Sequence, residues 1–253
     1  SPQAAARHRT LPNGEVLLML HLGPTQRLAE RDGAPCDEHL ADVFLAGLQE
    51  RPSTYVCGAA GTRVAALRLT PAGAWRLLGG LPQAELTTRV LELEAVLGSR
   101  AGVRALRERM GDAPDLGAAL DHLEDWVARR LHAAPVPDAT GGAAWALLQR
   151  SGGALRVDAL AARTGVPPRR LHALFLREVG MPAKRVARIL RFRRALSGIA
   201  RAPAVDLARL ARECGYYDQS HLYRDFRALA GMTPWRYRRA HDDGLHEPDV
   251  ISG

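Results

Sequence analysis

GYYDQSHLYRDFRALAGMTP, residues 215–234, reads as one amphipathic helix with a turn before it and a stop after it. Leu222, Phe226 and Leu229 recur at i, i+4 and i+7, which places them on one helical face. The opposite face carries Gln219, Ser220, His221, Arg224 and Arg227, all hydrogen-bonding side chains. The apolar face fixes such a helix to its domain and leaves the polar face free for recognition.

The same plan occurs earlier in the chain. LAARTGVPPRRLHALFLREVGMP (160–182) aligns with LARECGYYDQSHLYRDFRALAGMTP (210–234). Leu160 matches Leu210, Gly165 matches Gly215, Leu171 matches Leu222, Phe175 matches Phe226 and Gly180 matches Gly231. Each unit is a short helix, a turn centred on a glycine that tolerates positive φ, and a longer helix. That is a helix-turn-helix, twice. Asp158 and Asp206 are expected to cap the two short helices and Asp218 the second long one. Pro167 and Pro168 suit the first turn of the other long helix. Between the units, Val186, Ile189, Leu190, Leu196 and Ile199 predict a linking helix over 183–200. A helix of ~18 residues is ~27 Å long, comparable to one DNA turn of ~34 Å.

Before these units the pattern changes. EVLLMLHL (15–22), DVFLAGL (42–48), TYVCGA (54–59) and RVAALRL (63–69) read as strands between turn signals. Helical periodicity follows near 73–80, 99–110 and 115–131. HAAPVPDATGG (132–142) then interrupts it with small residues, proline and glycine. The expected fold is an α+β N-terminal domain followed by an all-α C-terminal domain with two helix-turn-helix units joined by a linking helix. The boundaries are 1–132 for the α+β domain, 133–142 for a linker, 143–240 for the helical domain and 241–253 for an acidic flexible tail.

Charge divides at the same place. Residues 1–140 hold 15 Arg against 17 acids, a net of −2, whereas residues 141–253 hold 20 Arg or Lys against 10 acids, a net of +10. A basic half of this kind suits a nucleic-acid partner. RFRR (191–194) reads more readily as a solvated helix face than as a phosphate clamp. No apolar run is long enough to span a membrane, no opening succession reads as a signal peptide, and three widely spaced cysteines fit a reducing, cytoplasmic setting.

Residues 143–240, and above all the run from Gly215 to Arg238, resemble the DNA-binding domain of the AraC/XylS family of bacterial transcription regulators. In that family the two long helices enter successive major-groove segments of double-stranded DNA. Carried over by position, the first reading face is Arg169, Arg170, His172 and Ala173, and the second is Gln219, Ser220, His221 and Arg224. The chemistry agrees, since Arg pairs bidentately with guanine and Gln with adenine. The sequence departs from the family at Pro167-Pro168 and at Ala173, where a cap and a long polar residue are usual. The resemblance implies an activator or repressor and allows a small-molecule effector, a homodimer and contact with RNA polymerase.

Leu171, Leu174, Phe175, Phe192, Leu222, Phe226 and Trp235 are expected in the core. Tyr216, Tyr217 and Tyr223 are open between packing and a phosphate hydrogen bond. Cys36, His39 and Cys57 invite a zinc reading, but a closed zinc site wants four ligands in paired spacings, so plain thiols are expected. No nucleophile elbow, P-loop or dinucleotide fingerprint is present. The expectation is therefore no enzyme, no metal and no cofactor. The alternative is a ligand-binding or enzymatic protein whose basic half touches nucleic acid nonspecifically.

Overall fold

The structure, a computed structural model, describes residues 6–22, 27–31, 34–57, 63–98, 102–201 and 206–242. The N-terminal half contains eight described strands: β1 (Ala6–Thr10), β2 (Val16–His21), β3 (Arg27–Arg31), β4 (Ala34–His39), β5 (Val43–Ala46), β6 (Ser53–Cys57), β7 (Val64–Leu69) and β8 (Val90–Glu92). They form two four-stranded sheets in the orders β1-β6-β3-β4 and β7-β2-β5-β8, antiparallel throughout. Helices α1 (Pro71–Leu77), α2 (Leu93–Leu97), α3 (Val103–Asp112) and α4 (Leu116–His132) complete this half. The C-terminal half is helical: α5 (Ala139–Arg150), α6 (Val157–Thr164), α7 (Pro168–Glu178), α8 (Ala183–Arg201), α9 (Leu207–Glu213), α10 (Gln219–Ala230) and α11 (Pro234–Asp242). No described helix is long and apolar enough to cross a membrane.

The alternation in β2 shows why the sheet sits where it does. Val16, Leu18 and Leu20 are buried toward the helices, while Met19 and His21 face the other sheet. A small cluster of Leu28, Leu40, Phe44 and Tyr55 joins the two sheets, with Phe44 stacked between His21 and Tyr55. His21 is fully buried and neither ring nitrogen has a hydrogen-bond partner. Burial therefore pushes its pKa below the ordinary value of 6.5.

The four strands expected from alternation are present as β2, β5, β6 and β7, although residues 58–59 of the expected third strand lie outside the described residues. β1, β3, β4 and β8 were not expected; in β3 and β4 the alternation is broken by charged residues. The expected linker is shorter than its composition implied. Residues 139–142 are the first turn of α5, because the Asp138 carboxylate accepts from the Thr140 N–H at 2.8 Å and caps the helix. Residues 243–253 of the expected tail lie outside the described residues, and α11 takes up residues 241 and 242.

One apolar cluster runs from Val16 and Leu18 through Leu106 and Trp126 to Phe175, Ile189 and Phe226. The core is thus continuous across the Pro/Gly stretch at 132–142.

Candidate nucleic-acid interface

Both helix-turn-helix units form as their glycines require. Gly165 ends α6 at φ 69°, and Gly215 stands after α9 at φ 81°. In the second unit, Asp206 accepts from the Ala208 and Arg209 N–H groups at 2.9 and 3.0 Å, and Asp218 accepts from the His221 N–H at 2.7 Å. The Asp206 carboxyl is held below its ordinary range, chiefly by the Arg209 N–H. The first unit differs. Asp158 does not cap α6: Arg156 holds the cap position without a side-chain bond, and Asp158 lies inside the first turn, 3.8 Å from Arg156. An acid there still favours the helix dipole. α7 starts with Pro167 at the cap position and Pro168 as its first residue, so its start relies on fixed proline φ alone.

The apolar faces point inward. Leu171, Leu174, Phe175, Phe192, Leu222, Phe226 and Leu229 are all buried. Phe226 meets Phe192 edge-on at 5.2 Å and Tyr237 at 5.6 Å. Trp235 does not join this core: it is 52% exposed, because α11 turns Pro234 and Tyr237 inward instead.

The outward faces are open. Arg169, Arg170, His172 and Ala173 on α7 are exposed, as are Gln219, Ser220 and Arg224 on α10. Two members of this set are partly engaged. Arg170 lies 3.3 Å from Asp138. His221 is half-buried, edge-on to the Tyr216 ring at 5.2 Å, with Nε2 3.9 Å from Asp225. Its Nδ1 accepts a long bond from the Tyr217 N–H at 3.5 Å. Tyr216 is buried, and burial raises its hydroxyl pKa. Tyr217, by contrast, is 90% exposed at the turn before α10.

Three anchors beneath the reading helices escaped the sequence reading. Asp225, on the edge of the α10 apolar face, accepts from Arg188 Nε of α8 at 2.8 Å. Glu178, the last residue of α7, is buried and accepts from the Asp138 N–H at 3.1 Å and from Arg177 at 2.6 Å. Both are acids on an otherwise apolar face, which was the available signal. The third anchor is the N-terminal half itself. Thr87 Oγ1 donates to the Gly180 carbonyl, just past α7, at 2.9 Å, and Arg9 donates to the Ala230 carbonyl, at the end of α10, at 3.1 Å. A Cβ at Gly180 would stand 2.8 Å from the Gln83 carbonyl oxygen, and one at Gly231 would stand 2.7 Å from the Arg9 guanidinium. The paired glycines of the repeat are therefore two of the places where the N-terminal half meets the reading helices.

RFRR (191–194) is solvated only at Arg194; its first three residues make internal contacts. Arg191 donates to the Gly153 carbonyl at 2.9 Å and covers the Tyr216 ring, Phe192 is core, and Arg193 reaches Glu15 of the N-terminal half at 3.1 Å. Among the described residues no group of three or more His, Cys, Asp or Glu is placed to hold a metal. The Cys36 thiol donates to the Leu28 carbonyl at 3.3 Å, and the Cys57 side chain lies outside the described residues.

Two helix-turn-helix units with buried apolar faces and open polar ones, on a common linking helix, define a DNA-binding domain. Comparison with known proteins agrees. Residues 160–240 match the helix-turn-helix domain family. No curated protein matches the chain. Among solved structures, ToxT from Vibrio cholerae O395 bound to (E)-4-(8-methylnaphthalen-1-yl)but-3-enoic acid is similar in fold over 95% of this chain and 100% of its own, at 10% identity and a TM-score of 0.51. The C-terminal domain of AraT, a response regulator from Geobacillus stearothermophilus, is similar over 42% of this chain and 88% of its own, at 20% identity and a TM-score of 0.39. A transcriptional regulator of Chromobacterium violaceum, described by its AraC-type DNA-binding domain, is similar over 40% and 91% respectively, at 22% identity and a TM-score of 0.37. Residues 160–240 are a helix-turn-helix domain.

Proposed function

We propose that this regulator reads two successive major-groove segments of duplex DNA, one with each long helix, and that its N-terminal half controls how the two helices are presented. Arg169, Arg170, His172 and Ala173 face the first segment; Gln219, Ser220, His221 and Arg224 face the second. Arg169, Gln219 and Arg224 carry most of the readout, because they are exposed and their side chains make no hydrogen bond or ion pair among the described residues. Arg170 and His221 must first leave Asp138 and the Tyr216–Asp225 pocket. Tyr217 joins them as a phosphate contact.

The observation that carries the reading is the double grip. Both long helices have open outward faces, and the ends of both are held by the N-terminal half at Gly180 and Ala230. A small molecule or a second copy of the chain that favours one arrangement of that half shifts DNA affinity by its differential affinity for the two states. The ToxT complex is with a carboxylic acid, so a protein of this fold accommodates a small acidic ligand. RNA polymerase is the further partner that the reading implies.

Selection of bound sequences from random duplex DNA with the full chain, at near-physiological salt, tests the reading. The expected result is a motif of two blocks about one helical turn apart. Gln219→Ala or Arg224→Ala should weaken discrimination at one block by roughly 1–3 kcal/mol, and Arg169→Ala at the other. Binding that merely falls with salt and prefers no sequence would sink specific readout.

A further inference from the structure

Between β1, β3 and the start of β6 on one side and α8 and α10 on the other lies a cleft of ≈ 650 Å³. Arg9, Arg51, Arg185, Arg188 and Arg227 line it against Glu30 and Glu50, five positive charges to two negative. Three of the arginines are engaged. Arg185 pairs with Glu50 at 2.9 Å, Arg188 with Asp225 at 2.8 Å, and Arg9 bonds the Ala230 carbonyl with Glu30 a distant 3.9 Å away. Arg51 and Arg227 are exposed, and their guanidinium groups make no hydrogen bond or ion pair among the described residues.

We propose that this cleft is a binding site for a compact polyanion, an organic polycarboxylate or a phosphorylated small molecule, that bridges the sheet half to the second helix-turn-helix unit. The proposal rests on the regulatory part of the function proposed above and supplies its ligand class. Unpaired guanidinium groups gathered in one cleft repel each other, and their planar forks match carboxylate and phosphate oxygens two at a time. The remaining lining is Pro52, Ala228 and Gly231, so a long acyl chain would find no apolar wall to cover it. The cleft opens at the C-terminal end of the reading helix, where Arg227 lies one turn beyond Arg224, about 4.5 Å along the helix axis. Arg9 and Arg51 come from the sheet half, Arg188 and Arg227 from the helical half, so an anion held by both sets strengthens the grip on α10. The grip on α7 is made elsewhere, by Thr87 on Gly180, and is not reinforced. A bound polyanion therefore acts on the second DNA block more than on the first.

The test is calorimetric titration of the full chain at constant ionic strength with citrate, with pyrophosphate and with octanoate, the last a monoanion with an apolar tail. Arg51→Ala, Arg227→Ala and Arg150→Ala are compared with the parent; Arg150 is exposed on α5, outside the cleft. The expected result is saturable binding of citrate or pyrophosphate, weakened about tenfold or more by either cleft variant and unchanged by Arg150→Ala. Which of the two binds tells a carboxylate ligand from a phosphate one. No saturable polyanion binding, equal loss in Arg150→Ala, or preferential binding of octanoate would overturn the site. Operator selection run on the same proteins keeps the readings apart. A parent that selects a two-block motif yet binds no polyanion loses the cleft and keeps the DNA reading. A parent that binds polyanion yet selects no sequence does the reverse.

Discussion

In the first helix-turn-helix unit, α7 starts at a pair of prolines with no side-chain cap and ends in the buried carboxylate Glu178, which ties it to the start of α5. In the second, α10 starts under Asp218 and is tied in mid-helix by Asp225 to Arg188 of the linking helix. The sequence repeat makes the units look equivalent, yet they are anchored to different neighbours: α7 to the junction between the halves, α10 to the linking helix and the aromatic cluster of Phe192, Phe226 and Tyr237.

The largest expected effect tests what the units share. Phe175→Ala and Phe226→Ala each empty a fully buried site in the same apolar cluster and should destabilise the chain by about 3–5 kcal/mol in urea unfolding. A single transition in both variants would fit the continuous core; two transitions in either would show that the units melt independently.

Next comes the anchor that they do not share. Arg188→Met leaves the Asp225 carboxylate, with its side chain only 10% exposed, without its cation. The expected loss is roughly 1–3 kcal/mol, with weaker selection at the second DNA block and little change at the first. The double variant Arg188→Met with Asp225→Leu should recover most of the stability but not the selectivity, if the pair positions α10 more than it stabilises the fold.

Smaller still is the capping contrast. Asp218→Ala should cost about 1 kcal/mol by removing the acceptor for the His221 N–H. Pro167→Ala removes no cap bond, because α7 has none there. Equal losses in chemical denaturation would show that the prolines stabilise α7 as much as a cap does.

The last prediction concerns the sheet half. His21 is buried neutral, so the unfolded chain takes up a proton near pH 6.5 that the folded chain resists. Its contribution to stability is constant above that value and is eroded as pH falls from 6.5 toward the lowered folded pKa. His21→Phe should flatten that part of the stability–pH curve; an unchanged slope would assign it to other groups.

Much of the helical half was legible because its signals are local. Periodic leucines and phenylalanines, Gly165 and Gly215 at the turns, and Asp206 and Asp218 at the caps each act within a few residues. Asp158 misled because a helix start has several places for an acid and only geometry chooses among them. Trp235 misled because a short helix after Gly231 can turn either of two aromatic residues inward, and packing against Phe226 selected Tyr237. In the sheet half, β2, β5 and β7 showed themselves through apolar runs that face the core, whereas β3 and β4 carry charged pairs such as Arg31–Glu38 on a solvated surface and gave no alternation to read.

By itself the sequence determined the doubled motif, the basic half and the residues that its outward faces display, because periodicity and capping are properties of neighbours along the chain. Only the tertiary structure decided that the halves share one core, that Arg191, Phe192 and Arg193 are spent on internal contacts, and that the N-terminal half meets the reading helices at Gly180 and Gly231. Those features join residues as far apart as Arg9 and Ala230. Contacts at that separation depend on how every intervening element packs, and no local pattern encodes them.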